Sequence, residues 1–216
     1  MPAVPIKREY GPTLGRLLSP WWRSASALAR AVALALVAAA LALALGAFLT
    51  LENAHYSHGG SVPFSFSYRS LYHAAPEAGS YVRLERHSSE GRLLDSFAVG
   101  PLTLPPYSGN VNGELPVYAV GYIGTLRARE QDFVLRGEGK TRVDTVPAYE
   151  VFYTARVQGR TMWGRNVLFL PERPGARKGL TVAMLTSPKA NSQVKSPLEV
   201  ALTGVLARPL KTLAFE

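Results

Sequence analysis

With no cysteine among the 216 residues, thiol and thiolate chemistry is excluded, and histidine, acidic and basic residues are the first candidates for a site. His55 and His58 lie three apart and His73 follows at a distance. A divalent ion needs a preorganised third ligand beside such a pair, and no acidic cluster adjoins it, so the sequence points to no metal. The three aspartates, Asp95, Asp132 and Asp144, are far from one another in sequence and suggest no paired carboxylates. Gly137-Glu138-Gly139-Lys140 has the residue types of a phosphate loop. Such a loop needs a strand before it and a helix after it, whereas strand-like residues flank it on both sides, so a hairpin turn is expected there. No Gly-x-Ser-x-Gly elbow is present, and no catalytic residue or cofactor is expected. An enzyme would have to assemble its site from residues distant in sequence.

The basic residues are the other candidate. The chain carries 24 Lys and Arg against 15 Asp and Glu, a net charge of +9. Arg127, Arg129, Arg136, Lys140 and Arg142 follow closely on one another and form a candidate surface for an anionic partner. Glu130, Asp132 and Glu138 partly neutralise the run. Aromatic residues are not interleaved with it as a base-stacking platform requires, so no nucleic acid is expected.

What positions these residues is set first by the N-terminal third. Residues 31–51 hold no charge and are almost all Ala, Leu and Val. At about 1.5 Å per residue a helix of that length matches a hydrocarbon core roughly 30 Å thick. Lys7, Arg8, Arg16, Arg23 and Arg30 precede it against a lone acid, Glu9. The positive side stays cytoplasmic, so residues 1–30 read as a basic cytoplasmic tail and the remainder as extracytoplasmic. Trp21 and Trp22, beside Arg23 and with Arg30 nearby, suit the membrane interface. A cleavable signal peptide is the rival, since 42–44 and 44–46 are small-x-small. Its apolar stretch is usually about 7 to 15 residues after a short basic region, which favours an uncleaved anchor.

Residues 52–61 read as a polar linker and 62–216 as an extracytoplasmic α+β domain. From Phe64 the apolar period becomes two, as in a strand buried on one face. Strands are expected at 64–68, 81–87, 92–99 and 101–104, with a turn at Ser88-Ser89-Glu90-Gly91. Leu115, Ala119, Tyr122, Ile123 and Leu126 mark one face of a helix. Gly121 and Gly124 each weaken it by about 1 kcal/mol relative to Ala, unless they allow close packing on a sheet. Further strands are expected at 133–136, 141–143, 148–157, 161–170 and 180–186, the pair joined through Gly159 forming the centre of a sheet. Ser196-Pro197-Leu198-Glu199 has the pattern of a capping box. It predicts a second helix with Leu198, Leu202, Val205 and Leu206 buried, stopped by Pro209 before a last strand at 210–215.

Residues Val146-Pro147-Ala148-Tyr149-Glu150-Val151, the long hairpin through Gly159, and the closing Leu210-Lys211-Thr212-Leu213-Ala214-Phe215 make 62–215 resemble the PsbP-like αβα-sandwich superfamily. The resemblance implies an antiparallel sheet packed with two helices, and an accessory or binding role. The superfamily's lipoprotein anchoring does not carry over, for there is no cysteine to lipidate. Together these readings give a single-pass membrane protein of the cell envelope, a non-catalytic binding or accessory module with a protein partner at the membrane. The alternatives are a subunit of a larger membrane assembly, or an envelope hydrolase with an unrecognised site.

Overall fold

A computed structural model describes residues 22, 24–49, 53–143, 145–171, 176–188 and 190–215, and the chain divides into two units, Met1–Leu51 and Glu52–Glu216. Trp21, Arg23 and Asp144 lie outside the described residues.

In the first unit, helix α1 spans Ala27–Leu49. Ala and Leu are strong helix formers, and Ser26 caps the start by accepting from the Ala29 amide at 3.2 Å. Among the described residues no helix is long and apolar enough to cross a membrane. The side chains of α1 are described only as far as Leu43, while its backbone stays helical to Leu49.

The second unit contains two antiparallel sheets. The smaller has the order β1-β2-β10, from Asn53–His58, Phe64–Arg69 and Ala214–Phe215. The larger has the order β3-β4-β5-β9-β8-β7-β6. Its strands are β3 (His73–Ala74), β4 (Val82–His87), β5 (Leu93–Thr103), β6 (Gln131–Val143), β7 (Val146–Val157), β8 (Arg160–Phe169) and β9 (Lys178–Thr186). Helix α2, Val111–Arg129, joins β5 to β6. Asn110 caps it, accepting from the Gly113 amide at 2.8 Å. The central β7–β8 hairpin turns on Gln158 and Gly159, both at positive φ (51° and 73°) as a two-residue turn between twisted strands requires.

Several expectations are corrected. Residues 53–58 of the expected linker are strand β1, paired with β2 from Asn53↔Arg69 to His58↔Phe64. Tyr56 accounts for this: its ring packs 5.4 Å from that of Phe66 and its hydroxyl donates to the Tyr81 carbonyl at 3.1 Å. The segment expected to be strand 101–104 is the end of β5. The Gly137–Lys140 segment is no turn but the middle of β6, paired with β7, and the reversal comes between Val143 and Val146. Gly121 and Gly124 do not pack on the sheet: both are exposed, and a Cβ at either would meet nothing within 4 Å.

The expected C-terminal helix is a 3-10 turn, Pro197–Glu199, followed by an irregular segment and a short helix α3, Ala207–Lys211, which contains Pro209. Ser196 makes no capping bond, and Glu199 accepts instead from the Lys195 amide at 2.9 Å. Ala201 and Gly204 take positive φ (60° and 75°), which breaks any helix through them. Leu198 and Leu202 are therefore about half exposed, while Val200, Ala201, Leu206, Leu210 and Leu213 enter the core. Only Ala214 and Phe215 of the expected last strand pair with β2.

Candidate functional site

The two faces of the seven-stranded sheet are covered unequally. On one, Val82, Leu84, Phe97, Val99, Val167, Phe169, Leu180, Val182 and Met184 pack in a single cluster with Phe64 and Phe66 of the small sheet and with the C-terminal segment. Arg165, 4% exposed, pins that segment: it donates to the Val200 carbonyl at 3.1 Å and to Glu150 Oε2 at 2.5 Å, with its guanidinium 5.1 Å from the Phe152 ring centroid. Asp95, fully buried, is held on the β4–β5 side by Arg86 and by the Thr186 hydroxyl at 2.6 Å.

On the other face, Leu115, Ala119, Ile123 and Leu126 of α2 bury Tyr149, Val151, Tyr153, Leu168 and Leu170. The helix lies against β6 and β7, and its cluster reaches β5 only at the Leu102 end. Over β5 and β9 a cleft of about 510 Å³ remains, floored by Ser96, Ala98, Gly100, Thr181, Ala183 and Leu185. Tyr122, Arg129 and Glu130 wall it on the α2 side, with the loop Glu77 to Ser80 and Arg83 opposite. The wall comes close to the floor at Gly100, where a Cβ would lie 3.2 Å from the Gly79 carbonyl oxygen, a tight contact.

Arg83 is forked between two carboxylates, 2.7 Å from Glu77 Oε1 and 2.7 Å from Glu85 Oε1. Burial opposes its charge, but the bonds from Glu77 and Glu85 outweigh burial and hold the guanidinium above its usual value. Arg129 follows the same logic, with burial opposed by Glu130 at 2.8 Å. Tyr122 accepts from Asn166 Nδ2 at 2.6 Å, and Tyr153 donates to Asn166 Oδ1 at 3.4 Å. Burial pushes the Tyr122 phenol up to about 12, against a lowering by the Asn166 bond, and raises the Tyr153 phenol as well. Both phenols are thus neutral and both guanidiniums charged at neutral pH. The cleft offers hydrogen-bond donors and paired charges around a floor of small side chains, and no histidine lines it. Among the described residues no group of three His, Asp or Glu is placed to hold a metal ion.

The basic run expected to form one surface is divided. Arg127 lies with its guanidinium 6.0 Å from the Phe133 ring, and Arg129 joins the cleft wall. A register shift between Leu135 and Gly137 separates Arg136 from its neighbours. Arg136 donates to the Thr154 hydroxyl at 3.3 Å, whereas Glu138, two residues on, accepts from the Tyr149 hydroxyl of the α2 face. Lys140 is exposed opposite Tyr149, and Arg142 donates to the Thr145 carbonyl at 2.9 Å. Arg30 sits in α1, and Trp22 is exposed. Sequence reasoning missed Arg83, Glu77, Tyr122 and Asn166. The available signal was in β5 and β9, where Phe97, Val99, Val182 and Met184 alternate with Ser96, Ala98, Gly100, Thr181 and Ala183, so that between Leu102 and Leu185 the second face carries small residues.

No family model matches this sequence, and no curated protein matches it. Similarity appears among solved structures. LpqN of Mycobacterium tuberculosis, described as involved in cell envelope biogenesis, aligns with a TM-score of 0.50 at 10% identity, over 76% of this chain and 91% of LpqN. The cyanobacterial PsbP protein (CyanoP) of Synechocystis sp. PCC 6803 aligns with a TM-score of 0.50 at 13% identity, over 77% of this chain and 94% of CyanoP. The fold of this chain is PsbP-like.

Proposed function

We propose that this protein is a membrane-anchored, non-catalytic binding module of the cell envelope, with the ligand or partner segment seated in the cleft over β5 and β9. The observation that carries the reading is the half-covered sheet face: a volume of about 510 Å³ whose floor is small side chains with Leu185 at one end and whose polar groups are arginine–carboxylate pairs, neutral phenols and the hydroxyls of Ser80, Ser96 and Thr181. Such groups orient and hold a ligand; the Ser80 hydroxyl in the lining donates to Glu77 Oε2 at 3.3 Å, a carboxylate already paired with Arg83. The envelope assignment draws on the likeness to LpqN. The anchor draws on the 21 uncharged positions 31–51 and the basic residues before them. In this reading residues 1–30 are cytoplasmic and the second unit extracytoplasmic. With β1 starting at Asn53, the connection from α1 is a few residues, which raises the effective concentration of the cleft toward membrane-bound partners.

Two experiments test the two parts. Alkaline carbonate should leave the full-length chain in membranes, and protease added to intact cells or spheroplasts should digest residues 52–216; extraction or protection would sink the anchor. A photoreactive phenylalanine analogue at Ala98 should capture a partner that the same analogue at exposed Glu90 does not. Equal capture at both positions, or turnover of substrate abolished by an Arg83→Ala change, would sink the non-catalytic cleft.

A further inference from the structure

The outer face of α2 is chemically unlike that of an ordinary surface helix. Val117 and Val120 are 67% and 72% exposed, and Gly121, Gly124 and Ala128 continue the exposed face toward the C-terminus. Between Glu114 and Arg127 the helix has no charge at all. Surface helices normally carry charged residues on that side. The two glycines cost the isolated helix stability, and nothing inside the chain requires them, since a Cβ at either would project into open space. Glycine beside valine on a helix face is the shape that admits another helix at close range, a large side chain on one fitting the notch on the other. A lipid surface has no use for notches, and a face meant to insert would carry bulky side chains with Lys and Arg along the helix flank.

We infer that α2 pairs antiparallel with α2 of a second copy of this chain, centred on Gly121. The occupant is indicated by the helix's own ends. Glu114 stands in its first turn and Arg127 in its last, so an antiparallel two-fold pairing brings Glu114 of each copy to the level of the other's Arg127, while a parallel pairing sets like charges together. In the same alignment Val117 is level with the partner's Thr125, beside its Gly124, and Gly121 meets Gly121. One patch is thus its own complement, as an isologous dimer requires. This pairing goes beyond the cleft reading and does not depend on it, because Val117, Val120, Gly121 and Gly124, which would form the contact, are exposed and line no part of the cleft.

The chain's lack of cysteine makes the test direct. Differently tagged full-length Val117→Cys and Thr125→Cys variants are co-expressed and treated in intact cells with a short membrane-permeant bismaleimide, which reports in any compartment. The expected result is a 117–125 crosslink in preference to 117–117 and 125–125, whose partners would lie about 12 Å out of step at ~1.5 Å per residue. Adding Gly121→Leu should abolish the product without lowering the temperature of thermal unfolding, since a Cβ there meets no atom of its own chain within 4 Å and leucine is the better helix former. Gly121→Ala, a milder change, should reduce the product without abolishing it. Equal yields of the three products, a crosslink only to some other protein, or a yield indifferent to Gly121→Leu would overturn the pairing. So would absence of any crosslink together with protection of Cys-substituted position 117 by added phospholipid vesicles, which would assign the face to a membrane instead.

Discussion

Replacing Arg165 with Met keeps most of the side-chain volume and removes only the guanidinium, which isolates what the buried charge contributes. The bond to Glu150 at 2.5 Å is charge-assisted and contributes about 1.5–3 kcal/mol, the bond to the Val200 carbonyl about 1 kcal/mol. The position over the Phe152 ring adds about 0.5–1 kcal/mol. Against this, the glutamate side chain is 20% exposed, so it recovers part of its hydration when orphaned. The net expectation is a loss of about 3 kcal/mol, and for a unit of this size ~2–4 °C per kcal/mol makes that a fall in Tm of about 6–12 °C. Urea titration of the purified full-length protein measures the first figure and scanning fluorimetry the second. Because Arg165 bridges β8 to the C-terminal segment, amide exchange across 197–206 should accelerate with it. The companion Glu150→Leu with Arg165→Met removes both charges, so the pair should cost clearly less than the two single losses added together. A loss for Arg165→Met below about 1 kcal/mol, or strict additivity in the double variant, would refute the claim that this pair holds the C-terminal segment to the sheet.

The cleft wall makes a prediction about pH. The Tyr122 phenol is held up at about 12 in the folded protein, above its ordinary value near 10. The unfolded chain therefore ionises first as pH rises: the contribution is complete below about pH 10 and is lost between there and about 12. Denaturation midpoints across that window should decline less steeply in Tyr122→Phe, and identical slopes would show that the buried phenol is not responsible. Packing beneath the helix makes another. A Cβ at Gly164 would fall 2.3 Å from the Tyr153 ring, itself stacked 5.3 Å from Phe133, so Gly164→Ala should cost about 1–3 kcal/mol by denaturant titration, where a cost near zero would mean the ring moves freely.

The strands were legible because alternation is a local property. Phe64 and Phe66 against Ser65 and Ser67, and the β7–β8 hairpin through Gly159, follow from period and turn residues alone. Helix α2 was legible for the same reason, through Leu115, Ala119, Ile123 and Leu126. Where reading failed, a distant contact decided the outcome. Residues 53–58 look like a polar linker until β2 supplies Phe66 for Tyr56 to rest on. The Ser196 capping pattern is sound chemistry for a helix start, yet burying Val200 and Ala201 under the sheet, with Arg165 bonded to the Val200 carbonyl, forces a tighter path and Ala201 into positive φ. Gly137 and Gly139 suggested a turn locally, while pairing with Phe152 and Glu150 runs β6 straight through them. The cleft was illegible in a different sense: its polar residues come from a loop, β4, α2 and β8, and only the alternation of large and small residues along β5 and β9 hinted at it.

The routes by which a partner can reach this domain narrow once the sheet edges are considered. An open edge strand invites another strand, but β3 is only two residues long, and β6, though 13 residues long, carries two register shifts and alternates Arg136, Glu138, Lys140 and Arg142 with its inward positions. Short edges, bulges and charges are how sheets discourage strand addition. The face toward β1, β2 and β10 is sealed by a continuous apolar cluster. That leaves the α2 side, and there the two remaining surfaces differ in kind. The floor of the cleft is small and mixed, so water can wet it without the cost of a large exposed apolar patch, and a ligand can come close to the backbone of β5 and β9. The outer face of α2 is uncharged and notched, so it gains by meeting another helix. The residues that build them scarcely overlap: Tyr122, Arg129 and Glu130 turn toward the cleft, while Val117, Val120, Gly121 and Gly124 turn away from the sheet. A helix that walls a cleft with one flank and pairs with its symmetry mate through another would place two equivalent clefts on one dimer, related by its two-fold axis.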